Sequence, residues 1–332
     1  MDIVECVPNV SEGRRPEVIQ LLAAAASSVA GARLLDVHSD VDHHRSVFTI
    51  AGSVEAVGEA AYCLAETAVT AIDMHLHHGV HPRIGALDVL PFVPLGDTSM
   101  ERCVSLAHAV GERIAHDLHV PVYFYGEAAL RPDRRFLVNI RRGEYEGLAE
   151  LIQTEPARAP DAGPAVLGPG GATAVGARRP LVAFNVHLHT SDFKAAQVIA
   201  KAVRASSGGL LGVQALAFKT SNPDVVQISM NLFDLEATSV AVAVARVQVE
   251  AAAHGIEPGV SELVGMIPLR EVEQAAGVAI TEASSTLGLN PQTSYLRLGF
   301  AEVLAGAAYA LRLPKLEIHQ VIELAMQEAQ WK

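Results

Sequence analysis

The sequence predicts an α/β (α+β) protein made of two similar βαββαβ-type subdomains, each a sheet covered by helices on one face. The chain has 332 residues, which is enough for two domains of ordinary size. It is 50% hydrophobic but only 5% aromatic, which is typical of aliphatic packing between helices and sheets. Short apolar runs alternate with longer amphipathic ones, in the same order in both halves. We therefore predict subdomains at 1–178 and 179–332, the second with a helical tail.

In the first half the pattern predicts the order βαββαβαβ. Ser11 is the predicted cap of the first helix, and Gly31 its stop. The predicted strands are Ile3–Val7, Arg33–Val37, Val47–Ala51, Ile84–Leu95 and Val120–Tyr125. The predicted helices are Arg14–Ala30, Val54–Ala71 and Ser99–Leu118.

The second half repeats the order βαββαβ. Its predicted strands are Leu181–Leu188, Val213–Phe218, Val225–Leu232 and Glu262–Pro268. Its predicted helices are Phe193–Ala205 and Leu235–His254. The residues from Leu269 onward are mainly helical in pattern, with a break at Leu289–Pro291. Between the halves, residues 158–178 are too rich in Gly and Pro for regular structure, so they are either a linker or an ordered ligand loop.

Composition excludes several classes of function. The net charge is −12 with no chain-wide basic face, which argues against nucleic acid as a partner. Cys6, Cys63 and Cys103 are few and far apart, which argues against a cysteine zinc site or a disulfide framework and fits a reducing cytoplasm. The N-terminus carries acids where a signal peptide needs bases, and no apolar run reaches the roughly 18 residues of a membrane span.

The stretch from Ile72 to Leu95 concentrates the reactive side chains. It holds His75, His77, His78 and His81, and His81 is followed by Pro82-Arg83. Pro82 pushes His81 toward an extended backbone. Three interpretations remain open, which are a metal site, a general acid/base and, for the first three histidines, a solvated helix end.

A second polar segment, 36–45, lies between two predicted strands. Asp36, His38, Asp40 and His44 could be drawn as a metal site. A carboxylate that orients an imidazole is a simpler use, with Asp40 or Asp36 acting on His81. A hydrophilic loop is the third interpretation.

Farther on, five arginines in residues 131–142 are either a carboxylate-binding cluster or a solvated basic helix. From these residues alone the reaction stays open.

Several long segments resemble the formiminotransferase family. They begin at Ile3 (IVECVPNVSEGRRPEVI), Leu34 (LLDVHSDVDHHRSVFTIAG), Ile72 (IDMHLHHGVHPRIGALDVLPFVPL), Val120 (VPVYFYGEAALRPDRR), Ile140 (IRRGEYEGL), Gly171 (GATAVGARRPLVAFNVHL), Val225 (VVQISMNLFDLEATSV) and Ser261 (SELVGMIPL). The resemblance reaches to about Leu269. It implies two α/β subdomains with a ligand cleft between them, and a homodimer.

The resemblance also implies an activity. The family transfers the formimino group of N-formimino-L-glutamate to N5 of tetrahydrofolate, which serves as co-substrate, and no metal is expected. The catalytic histidine of the family maps to His81, with Asp40 and Arg83 as further catalytic candidates. The protein is expected in the cytoplasm, and a cyclodeaminase for the next step would be a separate protein. Candidates for binding substrate and folate are Asn9, His38, His44, Arg45, Gly163, Pro164, Gly170 and Gly171.

The sequence departs from the animal members of the family at three places. His38 stands where they have an aspartate, His44 stands where they have an asparagine, and an aromatic residue is absent from the segment Gly163–Gly171. Alternative functions are glutamate formyl transfer on the same scaffold, a metal-dependent hydrolase using the His/Asp cluster, and a folate-binding protein without catalysis.

Overall fold

The computed structural model describes residues 2–287 and 299–328. The chain forms two compact units, Met1–Arg179 and Pro180–Lys332. Each unit has its own hydrophobic core and its own sheet. The predicted α/β class with two similar halves is confirmed.

The first unit is built on one mixed sheet of seven strands. The strands are β1 (Ile3–Cys6), β2 (Asn9–Val10), β3 (Ala32–Asp40), β4 (Arg45–Ser53), β5 (Leu87–Leu95), β6 (Val122–Gly126) and β7 (Thr173–Ala177). The α-helices are α1 (Pro16–Ser27), α2 (Val54–Ala71), α3 (Met100–Asp117), α4 (Leu137–Ile140) and α5 (Glu144–Leu151). Short 3₁₀ turns cover Pro132–Arg134 and Pro156–Arg158. Buried side chains of α1, α2 and α3, including Leu22, Leu64 and Ile114, share a core with Phe48 and Phe92 of the sheet.

The second unit is built on a four-stranded antiparallel sheet. The strands are β8 (Val182–His189), β9 (Val213–Lys219), β10 (Val225–Leu232) and β11 (Glu257–Val264). The α-helices are α6 (Phe193–Val203), α7 (Val240–Ala253), α8 (Leu269–Leu287), α9 (Phe300–Ala310) and α10 (Ile322–Glu328), with 3₁₀ turns at Ala205–Ser207 and Ile318–Gln320.

The two sheets share one topology. In the second unit the order is β11-β8-β10-β9. In the first unit β5 lies beside β1 and β2, which pair with β4, and β4 pairs with β3. Both are βαββαβ arrangements of the ferredoxin-like kind, in which the first strand lies between the last and the third. The first unit then extends its sheet beyond β5 with β7 and β6, which run parallel to it.

The extension corrects one expectation. Residues 158–178 were expected to contain no regular structure, yet Thr173–Ala177 form β7. The segment is short and made of small residues, and β7 is held on both sides by β5 and β6, which lie far away in the sequence. Local composition therefore carried no signal for it.

The start of α1 also differs from expectation. Ser11 does not cap the helix, because its Oγ donates to the Gly85 carbonyl at 2.7 Å. The N-cap residue is Arg15, and no side chain caps the helix. The fully buried Glu12 instead holds the turn before the helix, where its Oε1 accepts from the backbone N–H groups of Arg14 and Arg15 at 2.8 and 2.9 Å. A carboxylate just before a helix start also interacts favourably with the positive end of the helix dipole.

Helix α2 has the predicted bounds, and its first turn is capped by Ser53, whose side chain accepts from Ala56 N. The histidines after it are not a helix end, since α2 stops at Ala71 and His75 follows in a turn. Two other bounds move in the second unit. Helix α7 begins at Val240 rather than Leu235, and β11 covers Glu257–Val264 rather than Glu262–Pro268. The predicted break at Leu289–Pro291 falls outside the described residues.

Within residues 2–287 and 299–328, no helix combines the length and the apolar character needed to cross a membrane.

Candidate active site

The functional candidates of the first unit collect at one edge of its sheet. Asn9 lies in β2, Asp40 ends β3 and Arg45 begins β4. His81 lies in the loop that leads to β5. Because the strands run in both directions, the ends of β2 and β3 meet the starts of β4 and β5 at this edge. The site is therefore built at strand starts as well as strand ends, unlike the carboxyl-end crevice of a parallel sheet.

Arg45 connects the predicted residues to one another. Its Nε and Nη2 donate to Asn9 Oδ1 at 3.0 and 2.6 Å. Its Nη1 donates to Asp88 Oδ2 at 2.7 Å and lies 3.1 Å from His81 Nδ1. Burial lowers the pKa of Arg45 to about 10, so the guanidinium stays charged at neutral pH. Arg45 thus binds an amide and a carboxylate and lies beside an imidazole.

His81 is neutral in this site. Burial, together with the positive charges of Arg45 and Arg141, lowers the pKa of His81 to about 2. Its Nδ1 is 2.8 Å from the Pro82 carbonyl and 3.1 Å from Arg45 Nη1. One nitrogen cannot both donate to a carbonyl and accept from a guanidinium. The shorter contact favours a hydrogen on Nδ1, and the lone pair is then on Nε2, where it can accept a proton.

Asp88 is the central residue that the sequence reasoning missed. It is fully buried in β5, and its Oδ1 accepts from Ile84 N at 2.9 Å. Its Oδ2 accepts from both Arg45 and Arg141. Burial alone would raise the pKa of Asp88, but the charges of Arg141 and Arg45 outweigh it and hold the pKa at about 2. The available signal was a single acid inside the otherwise apolar run Ile84–Leu95.

The arginine-rich segment 131–142 is mostly paired elsewhere. Arg134 bridges the buried Asp161 at 2.5 Å. Arg131 and Arg135 pair with Asp133 and Glu127. Only Arg141 of this segment reaches Asp88, with a side chain that is 15% exposed. The cluster read from the sequence therefore contributes one cation to the site.

Arg83 is held by His77 and by helix α5. It is buried and places all five N–H donors on protein atoms. Two donors go to His77, at its Nδ1 and its carbonyl, each at 3.3 Å. The other three go to Glu144 at 2.9 Å and to Glu146 at 2.8 and 2.6 Å. Arg83 thus anchors the loop that carries His81 to the start of α5.

Asp40 bonds to His43. The Asp40 carboxylate is 2.6 Å from His43 Nδ1 and accepts from His43 N at 2.8 Å. Burial opposes ionisation, but the bonds to His43 hold the pKa of Asp40 at about 2, and Asp40 in turn raises the pKa of His43. The ring centroids of His43 and His81 are 6.0 Å apart in an edge-to-face arrangement. The structure thus links Asp40 toward His81 through His43.

His44 packs beside the same loop. Its backbone is left-handed at φ 51°, and its ring meets the ring of His77 with centroids 4.3 Å apart. His77 Nε2 is 3.1 Å from the His44 carbonyl. Burial lowers the pKa of both rings. His38 lies in β3 opposite Val47 of β4. It is two positions along the strands from the paired residues Asp40 and Arg45.

The predicted glycine segment divides into two places. The Gly170 carbonyl accepts from Ala86 N at 2.8 Å, so this part lies against the start of β5. Gly171 has φ +70°, and a Cβ there would meet the Ile84 carbonyl at 2.4 Å. Gly163 and Pro164 instead lie beyond Ala162, which pairs with Val122 at the start of β6. Only the second part borders the loop that carries His81.

The histidines and acids do not form a metal site in the part of the chain that the structure describes. No group of three or more His, Cys, Asp or Glu side chains there is arranged to hold a metal ion. The set Asp36, His38, Asp40 and His44, read from the sequence as one possible metal site, is therefore not gathered around a common point.

Comparison with known proteins gives consistent matches. The N-terminal subdomain of the formiminotransferase domain matches residues 3–178, and the formiminotransferase domain matches residues 183–301. Glutamate formimidoyltransferase of Thermoplasma acidophilum is 46% identical over 81% of this chain and 89% of that protein. The enzyme of the same name from Streptococcus pyogenes serotype M1 is 42% identical over 82% of this chain and 92% of that protein.

A longer relative matches in part. Rat formimidoyltransferase-cyclodeaminase is 42% identical over 82% of this chain, and the match spans 52% of that protein.

Among solved structures, a microcompartments protein from Desulfitobacterium hafniense DCB has a TM-score of 0.21 at 11% identity, covering 80% of this chain and 94% of that one. A score this low carries no argument.

Proposed function

Since this chain belongs to the formiminotransferase family and is a transferase, we propose that it moves the formimino group of N-formimino-L-glutamate to N5 of tetrahydrofolate. The products are 5-formiminotetrahydrofolate and glutamate. The observation that carries the proposal is the placement of His81, whose Nδ1 lies 2.8 Å from the Pro82 carbonyl and 3.1 Å from Arg45 Nη1, so that Nε2 is left to accept a proton. The names of the two microbial relatives support the choice of donor.

In the proposed reaction His81 acts as general base and then as general acid. N5 of tetrahydrofolate attacks the formimino carbon, and Nε2 of His81 takes the proton that N5 gives up. A tetrahedral intermediate forms. The bond from its carbon to the glutamate nitrogen then breaks, and His81 returns the proton to that nitrogen. Help of this kind contributes about 10²–10⁴-fold in rate, and alignment of both substrates supplies further acceleration.

The neighbouring residues act through His81 or on the substrates. Arg45 lies beside the imidazole, 3.1 Å from its Nδ1, and carries a positive charge for developing negative charge. Arg83 has a positioning role, because its donors are all used by the protein. Asp40 steadies His43 beside His81. Roles in binding substrate or folate remain predictions for Asn9, His38, His44, Gly163, Pro164, Gly170 and Gly171.

Other parts of the proposal rest on the family resemblance. They are tetrahydrofolate as co-substrate without a metal, a homodimer in the cytoplasm, a separate cyclodeaminase for the next step, and subdomains at 1–178 and 179–332. The two compact units are the natural candidates for these subdomains.

A turnover assay with two donors tests the function. Purified protein treated with a chelator is supplied with tetrahydrofolate and either N-formiminoglutamate or N-formylglutamate. We expect turnover with the formimino donor. Turnover with the formyl donor alone would assign the protein to formyl transfer. Folate binding without turnover would indicate a binding protein, and release of glutamate without tetrahydrofolate, seen only with added zinc or manganese, would indicate a metal-dependent hydrolase.

The same assay tests the base. His81→Asn is expected to lower kcat by about 10²–10⁴-fold with little change in tetrahydrofolate affinity. His116→Asn is the matched control, since His116 lies exposed near the end of α3. If the His81 variant keeps its turnover, the proton is handled by another residue.

A further inference from the structure

We propose that Arg141, with Arg45 beside it, forms a subsite for the α-carboxylate of the formimino donor. This inference rests on the proposed function and identifies how the donor is held. It concerns a residue to which the family resemblance gives no separate role.

The first argument is the charge balance of the three residues. Arg45 and Arg141 are both paired with Asp88, and they share the same oxygen, Oδ2. The side chains of Arg45 and Arg141 are only 11% and 15% exposed, and that of Asp88 is fully buried. His81 is neutral and adds no charge. Two positive charges therefore face one negative charge, and one positive charge is left without a partner in a place with little water.

The second argument is the set of unused donors on Arg141. Of its five N–H donors, one on Nη2 bonds to Asp88. Its Nε is buried and has no hydrogen-bond partner among the described residues. A buried donor without a partner is costly in a folded protein. A guanidinium with free donors and a free charge is the usual partner of a carboxylate, which it binds with two parallel hydrogen bonds.

The third argument is the place of this cation relative to the base. Short contacts lead from His81 to Arg45, from Arg45 to Asp88 and from Asp88 to Arg141. The α-carboxylate of the donor is attached to the same carbon as the nitrogen that departs, and His81 must reach that nitrogen. The side-chain carboxylate lies at the far end of the glutamate. A carboxylate subsite this close to His81 therefore fits the α-carboxylate.

Two truncated donors separate the carboxylates. N-formiminoglycine keeps the α-carboxylate and lacks the other one, whereas 4-formiminoaminobutyrate keeps only the distant carboxylate. For the wild type we expect kcat/KM with N-formiminoglycine to exceed that with 4-formiminoaminobutyrate by about 10²–10⁴-fold, because the analogue without the α-carboxylate leaves a buried cation unpaired.

Arg141→Met should remove this preference. We expect its KM for N-formiminoglutamate and N-formiminoglycine to rise by about 10²-fold or more, with 4-formiminoaminobutyrate little affected. Arg141→Lys keeps the charge but not the fork and should fall between the two. Arg142→Met is the matched control, because Arg142 is an exposed neighbour and should keep the wild-type preference. An Arg141→Met protein that discriminates between the donors as the wild type does would overturn the subsite.

A binding measurement distinguishes this failure from failure of the proposed function. N-formylglycine and 4-formamidobutyrate are titrated calorimetrically into wild type and Arg141→Met without folate. Tighter binding of N-formylglycine to the wild type, lost in the variant, supports the subsite even if no donor is turned over. Equal binding by both proteins overturns it, even if the wild type turns over N-formiminoglutamate.

Discussion

Replacing Asp88 by asparagine tests the charge balance at the edge of the first sheet. Asp88 is the only acid that pairs with Arg45 and Arg141 in the described part of the chain. Asparagine has nearly the same shape and removes the negative charge. The variant leaves two guanidiniums side by side with little access to water.

The expected loss of stability is large. Removing one partner of a buried ion pair costs about 3–5 kcal/mol, which is a major part of the roughly 5–15 kcal/mol that holds a domain folded. Asparagine also presents an N–H group to a site where Ile84, Arg45 and Arg141 are all donors. We therefore expect the free energy of unfolding to fall by about 3–5 kcal/mol.

Urea unfolding followed by circular dichroism measures the loss, and hydrogen exchange of β5 locates it in the first unit. Asp97→Asn is the matched control, since Asp97 is exposed just after β5 and should change stability by less than about 0.5 kcal/mol. Asp88→Asn combined with Arg141→Met should recover part of the loss, because one of the two unpaired charges is then gone. A loss below about 1 kcal/mol, or no recovery in the double variant, would refute the charge argument.

Three other changes test the surrounding structure. Gly171→Ala should cost about 1–3 kcal/mol, since the backbone has φ +70° and the new Cβ meets the Ile84 carbonyl at 2.4 Å; thermal unfolding measures it. Arg83→Met should cost about 1–3 kcal/mol in urea and lower kcat, because the His81 loop loses its anchor while the freed glutamates remain accessible to water. Stability should fall as the pH drops below about 6.5, since the unfolded chain protonates histidines that the fold keeps neutral, and His81→Asn should reduce the slope by about 1.4 kcal/mol per pH unit.

Each of these changes has a reference. Gly168→Ala lies in the same loop with open space around its Cβ, so it should cost much less than Gly171→Ala. Arg131→Met removes an exposed pair with Asp133 and should be nearly neutral. In the pH series, His43 acts in the opposite direction because Asp40 raises its pKa. The measured slope is therefore a net value, and an unchanged slope in His81→Asn would contradict the neutral state of His81.

Local pattern was sufficient for much of the secondary structure. The bounds of α2, Val54–Ala71, and of β10, Val225–Leu232, agree with the prediction. In α2 the apolar residues recur at helical spacing behind a serine cap, and in β10 a β-branched segment follows a turn. In these cases the signal lies within the element itself, so the sequence of the element is sufficient to predict its bounds. The repeated βαββαβ order was visible for the same reason.

The sequence also singled out His81 and Arg45 as candidate site residues, because His-Pro-Arg and the segment around Arg45 are strong local motifs. What the motifs could not show is which partner each side chain takes. Arg83 stands two residues after His81 yet turns to Glu144 and Glu146. Asp40 was expected to support His81 directly, and it bonds to His43 instead.

Only the tertiary structure decided which residues of the site contact one another. Strand β7 exists because β5 and β6 hold it from both sides, and Asp88 matters because Arg45 and Arg141 reach it from opposite directions along the chain. These contacts join residues separated by 43 and 53 positions. Periodicity and capping act over a few residues, whereas the pairing of buried charges depends on which strands become neighbours. The sequence by itself therefore determined most of the elements, the repeat and the candidate histidine, and the assembled sheet determined the charges around that histidine.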